Sequence, residues 1–155
     1  MPLCKALHKG KTHLAIALGI KAVQSGYRVL FTTAQDLVDE LYASLADGSF
    51  KSRMRSLMRA DLLILDEVGF TEMDATASNH FFQVVSQAYE RRSLILTSNR
   101  PFQEWGNLFA TVTIATAILD RLLHHAHIFS LKGDSYRLKG TAKVFSPSNT
   151  QATEQ

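Results

Sequence analysis

Residues 61–67 read Asp-Leu-Leu-Ile-Leu-Asp-Glu (DLLILDE), an apolar run closed by two adjacent acids. The unbroken stretch Leu62-Leu63-Ile64-Leu65 suits a strand buried on both faces, as strands of parallel sheets are. Asp66 and Glu67 at its end are costly to desolvate unless a cation or hydrogen bonds compensate. They mark either a catalytic end of the strand or simply the point where it emerges into solvent, where any acid would serve.

Working outward, SLILTSN (93–99) repeats the logic, an apolar run with polar residues at its end, and YRVLFTT (27–33) is a third β-rich run. The segments between them carry helical periodicity. Leu37, Val38, Leu41 and Leu45 fall at helical spacing within Asp36 to Leu45. A helical stretch follows from about Ala75 to Arg91, and another from Ile114 to His125. HLAIALGIKAVQS (13–25) is apolar nearly all round, as a helix packed on a sheet is, and stops at Gly26. HIFSL (127–131) reads as a last strand. Alternating strands and helices predict a three-layer α/β domain with a parallel sheet. Ligands of such sheets bind beyond the carboxyl ends of the strands, where Asp66, Glu67, Ser98 and Asn99 all fall. Asn99 there can orient a water or touch a terminal phosphate; the plainer alternative is a turn-forming residue ahead of Pro101.

The chain has 155 residues, enough for one domain with a real core, and its 46% hydrophobic and 20% charged residues exclude a disordered or fibrous protein. A net charge of +3 permits contact with nucleic acid without requiring it. The single cysteine, Cys4, cannot form an internal disulfide, which points to a reducing compartment. With no apolar run of membrane-spanning length and no signal peptide, the expected setting is cytoplasmic, without membrane partners. The core is expected over residues 1–145, and the small, polar segment 146–155 as a disordered tail.

Gly10-Lys11-Thr12 opens the first helix and forms the end of a Walker A motif, G-x-x-x-x-G-K-[ST]. Backbone N–H groups at a helix N-terminus and a lysine ammonium together bind polyphosphate, and the threonine hydroxyl can ligate Mg²⁺. By itself so short a tripeptide also arises by coincidence. In KALHKGKT (5–12), Lys5 stands at the first glycine position, and only Met1 to Cys4, Pro2 among them, precede the loop. Four residues cannot make a central strand of ordinary length. A sheet lacking that strand would leave its two neighbours with unpaired backbone groups, at about 1–3 kcal/mol each. Several of these rival a domain's whole margin of about 5–15 kcal/mol, so marginal or partner-dependent folding is expected.

Two further clusters stand out. Lys51, Arg53, Arg55 and Arg59 crowd one segment and suit either DNA phosphates or a solvated helix face. His124, His125 and His127 lack the i, i+4 spacing that sets two ligands on one helix face, so they do not read as a metal site.

Taken in order, GKTHLA, RVLFTTAQDLVDELY, ADLLILDEVGF, LILTSNRPFQEW, ATAILDRLLHHA and SYRLKG closely resemble the IstB/DnaC-like AAA+ ATPases. These are transposition helpers of insertion sequences and their relatives, the replicative helicase loaders. The likeness runs from about Gly10 to about Gly140 and is nearer to the transposition helpers. It implies a P-loop NTPase sheet of the AAA+ (ASCE) type with its first strand largely missing. It also implies an ATPase that binds ATP and Mg²⁺ between subunits, assembles on DNA as a homo-oligomer and assists a transposase, or alternatively a replicative helicase. Carried over by position, Gly10, Lys11 and Thr12 hold phosphates, Thr12 and Asp66 hold Mg²⁺, and Glu67 polarises the attacking water. Asn99 matches the first sensor, Arg121 the arginine finger that reaches the next subunit's nucleotide, and Arg137 the second sensor. Arg121 could instead pair with Asp120 or another acid, and Arg137 could be a solvated strand end. The family carries a fuller glycine-rich loop and an N-terminal region that contacts the transposase or helicase. Against it the chain reads as an N-terminally truncated copy, either an ATP-dependent helper or an inactive fragment serving as an interaction module.

Overall fold

A computed structural model describes residues 10–131. Its elements are α1 (Lys11–Gln24), β1 (Val29–Thr33), α2 (Ala34–Ala46), α3 (Phe50–Leu57), β2 (Leu62–Val68), α4 (Ala75–Ala88), β3 (Ser93–Ser98), a 3₁₀ turn (Phe102–Asn107) and α5 (Val112–His124). Short polar side chains fix three helix starts. The Thr33 hydroxyl accepts from Asp36 N at 3.0 Å, Asp74 Oδ1 from Ala77 N at 2.8 Å, and the Thr111 hydroxyl from Ile114 N at 3.2 Å. Helix α1 starts differently, from Gly10 in the left-handed region (φ 78°) with no side-chain cap.

The strands form a parallel sheet in the order β1-β2-β3, with β2 in the middle. Side chains of β2 alternate between two apolar compartments, as a strand buried on both faces requires. Leu63 and Leu65 join the larger core with Leu37, Leu41, Phe81 and Trp105, beneath α2 to α5. Leu62 and Ile64 face α1 in a smaller cluster with Ala15 and Ile95. Leu65 is fully buried, and burying such a side chain is worth about 1.5–3 kcal/mol. Gly19 lets α1 sit close to the sheet, since a Cβ there would stand 2.9 Å from Ile64 Cδ1. The outer side of α1 stays open, with Ile20 and Val23 more than half exposed, so only one face of this all-round apolar helix is used among the described residues.

Two expectations are corrected. Residues 127–131 form no strand; Ile128 and Phe129 are about half exposed, and no neighbouring strand among the described residues supplies them with a ladder. The described sheet is also continuous, with β2 paired on both sides, so among the described residues the unpaired rows are the outer edges of β1 and β3 and no gap opens between neighbouring strands. Residues 1–9, on which the shortened first strand falls, lie outside the described residues, as do Arg137 and the expected tail. No helix of the described residues is long and apolar enough to cross a membrane.

Candidate functional site

The carboxyl ends of β2 and β3 meet the first turn of α1. The Gly10 carbonyl accepts the Leu14 N–H at 2.7 Å, which starts the helix directly after the left-handed glycine. Amides of a first helical turn have no partner within their own helix and favour an anion. Lys11 follows, buried at 9% exposure, with its ammonium donating to the Ser98 carbonyl at the end of β3. The Thr12 hydroxyl donates to Asp66 Oδ1 at 3.1 Å, a contact between residues 54 positions apart. Asp66 is itself only 3% exposed. The structure thus brings Lys11, Thr12 and Asp66 together at the ends of β2 and β3, while the Glu67 side chain is exposed.

Thr97 on β3 is the residue the sequence reasoning passed over. Its hydroxyl donates to Asp66 Oδ1 and accepts the Glu67 N–H at 3.0 Å, so one side chain holds both acids of the strand end. The pairing of β2 with β3 is irregular between Leu65 and Val68, and Glu67 takes a left-handed φ of 58° with its side chain exposed. A polar residue interrupting the apolar run LILTSN was the available signal.

Asn99 lies just past β3, and its Oδ1 is buried without a hydrogen-bond partner among the described residues. Burying a carbonyl oxygen in that state costs about 1–3 kcal/mol, which a bound water or ligand donor would relieve. A buried ammonium, an uncapped helix start, an aspartate gripped by hydroxyls and an orphaned carboxamide oxygen together fit a polyphosphate with a divalent cation.

Arg121 lies elsewhere. Its Nη1 donates to the Ala117 carbonyl at 3.0 Å, its guanidinium lies 4.8 Å from the centre of the Phe82 ring, and it borders a hollow with Leu94, at the opposite end of β3 from Ser98. It therefore does not join Lys11 and Asp66 within one chain, and no pairing with Asp120 is seen among its described contacts. The basic segment forms α3 and its exit: Lys51, Arg53, Arg55 and Arg59 are exposed while Met54 and Leu57 are buried, and Arg53 is paired with Glu40 at 2.9 Å.

A protein named for ATP binding in insertion sequence IS5376 of Geobacillus stearothermophilus is 45% identical over 130 residues, covering 84% of this chain and 52% of that protein. The corresponding IS21 protein of Pseudomonas aeruginosa is 46% identical over 135 residues, covering 87% and 51%. The chain thus spans about half the length of these relatives. In fold it matches AMPPCP-bound DnaA from Aquifex aeolicus, with a TM-score of 0.71 and 22% identity over 97% of this chain and 46% of that one. It also matches a DnaC helicase loader, with a TM-score of 0.70 and 18% identity over 85% and 77%. These likenesses show the fold alone, an α/β domain with a parallel sheet like those of DnaA and the DnaC helicase loader. The family model of the IstB-like ATP binding proteins matches residues 4–144, and the chain belongs to that family.

Proposed function

We propose that this chain binds ATP with Mg²⁺ at the carboxyl ends of β2 and β3 and serves as an ATP-dependent helper in DNA transposition. The observation that carries this is the convergence of Lys11 and Thr12 with Asp66 and Thr97 around one buried point. When bound, the nucleotide and its magnesium supply the phosphoanhydride bond and the divalent charge. Lys11 would exchange the Ser98 carbonyl for phosphate oxygens, and Thr12 and Asp66 would hold the cation. Glu67 would polarise the attacking water while Asn99 orients it. Thr97 acts through both acids, as a positioning residue. Arg121, remote from this point in its own chain, suits a neighbouring subunit's nucleotide in a homo-oligomer. The exposed cations of α3 suit DNA phosphates, which makes binding weaken as salt rises. A transposase is the expected partner, because the relatives belong to insertion sequences.

A second reading, an inactive interaction module, is favoured by one observation: Lys5 stands where the motif has its first glycine. Nucleotide binding separates the two. A fluorescent ATP analogue should bind the purified chain in a Mg²⁺-dependent manner, and Lys11→Ala should weaken it about ten- to a hundredfold, the value of a charge-assisted contact. DNA-dependent turnover should vanish in Glu67→Gln. If the wild type and Glu67→Gln are equally inactive and neither binds nucleotide, the ATPase reading fails.

A further inference from the structure

At the far end of β3 from Asp66, the turn after α4 meets the last turn of α5 beside a hollow of about 140 Å³. One ligating atom from each of Glu90, His124 and His125 lies there within 4.8 Å of the others, and all three side chains are exposed. We propose that Glu90, His124 and His125 form a surface site for a divalent transition-metal cation such as Zn²⁺, independent of the nucleotide site.

Two imidazoles and a carboxylate suit zinc and its first-row neighbours, and three protein ligands with solvent access leave a coordination position for water or a partner's side chain. Tetrahedral bonds of about 2.0–2.2 Å put donor atoms roughly 3.4 Å apart, so the three must close inward. Exposed side chains can do so by rotation, without disturbing the core.

The ligands are also supported from behind. His124 Nδ1 is 2.8 Å from the Tyr89 hydroxyl. With Nδ1–H donating to the phenol oxygen, Nε2 presents its lone pair outward, which is how an outer partner orients a metal-binding histidine. His124 is also the last residue of α5, where the carbonyl end of the helix dipole favours a cation.

Two cations border the same hollow, and both are held by other groups. Arg92 Nε donates to the Met58 carbonyl at 2.8 Å, and Arg121 is drawn onto Ala117 and Phe82. The histidines alone lacked ligand spacing; the missing donor comes from Glu90, 34 residues before His124, which only the packing of α4 on α5 brings in.

Calorimetric titration of Zn²⁺ into the tag-free, chelator-washed chain tests this. One saturable site is expected in the wild type and in His127→Ala. Binding should fall about tenfold in Tyr89→Phe, the usual minimum for losing an outer-shell partner, and be lost in His124→Ala and in Glu90→Gln, with circular dichroism unchanged throughout. Absence of saturable binding in the wild type overturns the site. So does wild-type affinity in either ligand variant, or loss of binding in His127→Ala.

Discussion

Two aspartates bracket the apolar run of β2, and the chain treats them in opposite ways. Asp61, at the entry, is partly exposed and paired with a full charge: Arg28 donates to it from its backbone N, its Nε and its Nη2, at 3.0, 3.1 and 3.0 Å. These hydrogen bonds hold the Asp61 carboxyl down to about 2 and raise the Arg28 guanidinium. Asp66, at the exit, is buried and gripped on one oxygen by the hydroxyls of Thr12 and Thr97. Hydroxyls orient a carboxylate without cancelling its charge. An exposed ion pair is a local tie that water screens; a buried carboxylate held by neutral donors is prepared for a cation from outside.

The comparison breaks most visibly at Asp66. Asp66→Asn keeps an acceptor oxygen for both hydroxyls, so the urea midpoint should hold while Mg²⁺-dependent affinity for an ATP analogue falls about a hundredfold, the upper range for a charged contact. Unchanged magnesium dependence would mean that the buried aspartate is only structural. Thr97→Val should be felt in the fold itself. It strips the bridge between Asp66 and the part-buried Glu67 amide, and an N–H orphaned there costs up to about 1–3 kcal/mol in chemical denaturation.

His80 sharpens the contrast, being 4% exposed like Asp66 but with Nδ1 lacking a partner among the described residues. It packs against Phe50 and Tyr42, and burial pushes its pKa below the usual histidine value. The unfolded chain then binds the proton first as pH falls below about 6.5, so stability should decline from pH 7 toward pH 5. His80→Leu should flatten that part of the profile of urea midpoint against pH. The smallest effect belongs to Arg28→Ala. Asp61 should titrate back toward the ordinary carboxylate range by NMR, with the midpoint at neutral pH barely moved. In the wild type the contribution of this depressed carboxyl is complete above about pH 3.9 and fades as pH falls toward its folded value.

What could be read from the sequence followed from periodicity and local chemistry. The apolar runs of β2 and β3, the helical spacing of α2 and the Gly10-Lys11-Thr12 start of α1 each carry their signal within a few residues. Convergence of Lys11, Thr12 and Asp66 was legible because a parallel sheet puts its strand ends on one side. Thr97 was not, since its role depends on a β2–β3 irregularity that shifts register between Leu65 and Val68. Glu90 was invisible beside His124 and His125 for the same reason: packing at long range, not spacing, brings them together. HIFSL has strand composition, yet composition supplies no partner edge.

The left-handed backbone at Glu67 carries its own consequence. A residue with a Cβ holds that conformation at a cost of about 1–2 kcal/mol, and glycine does not. One nucleotide change turns a glutamate codon into a glycine codon, so a sturdier molecule lies a single mutational step away, and reaching it would discard the acid.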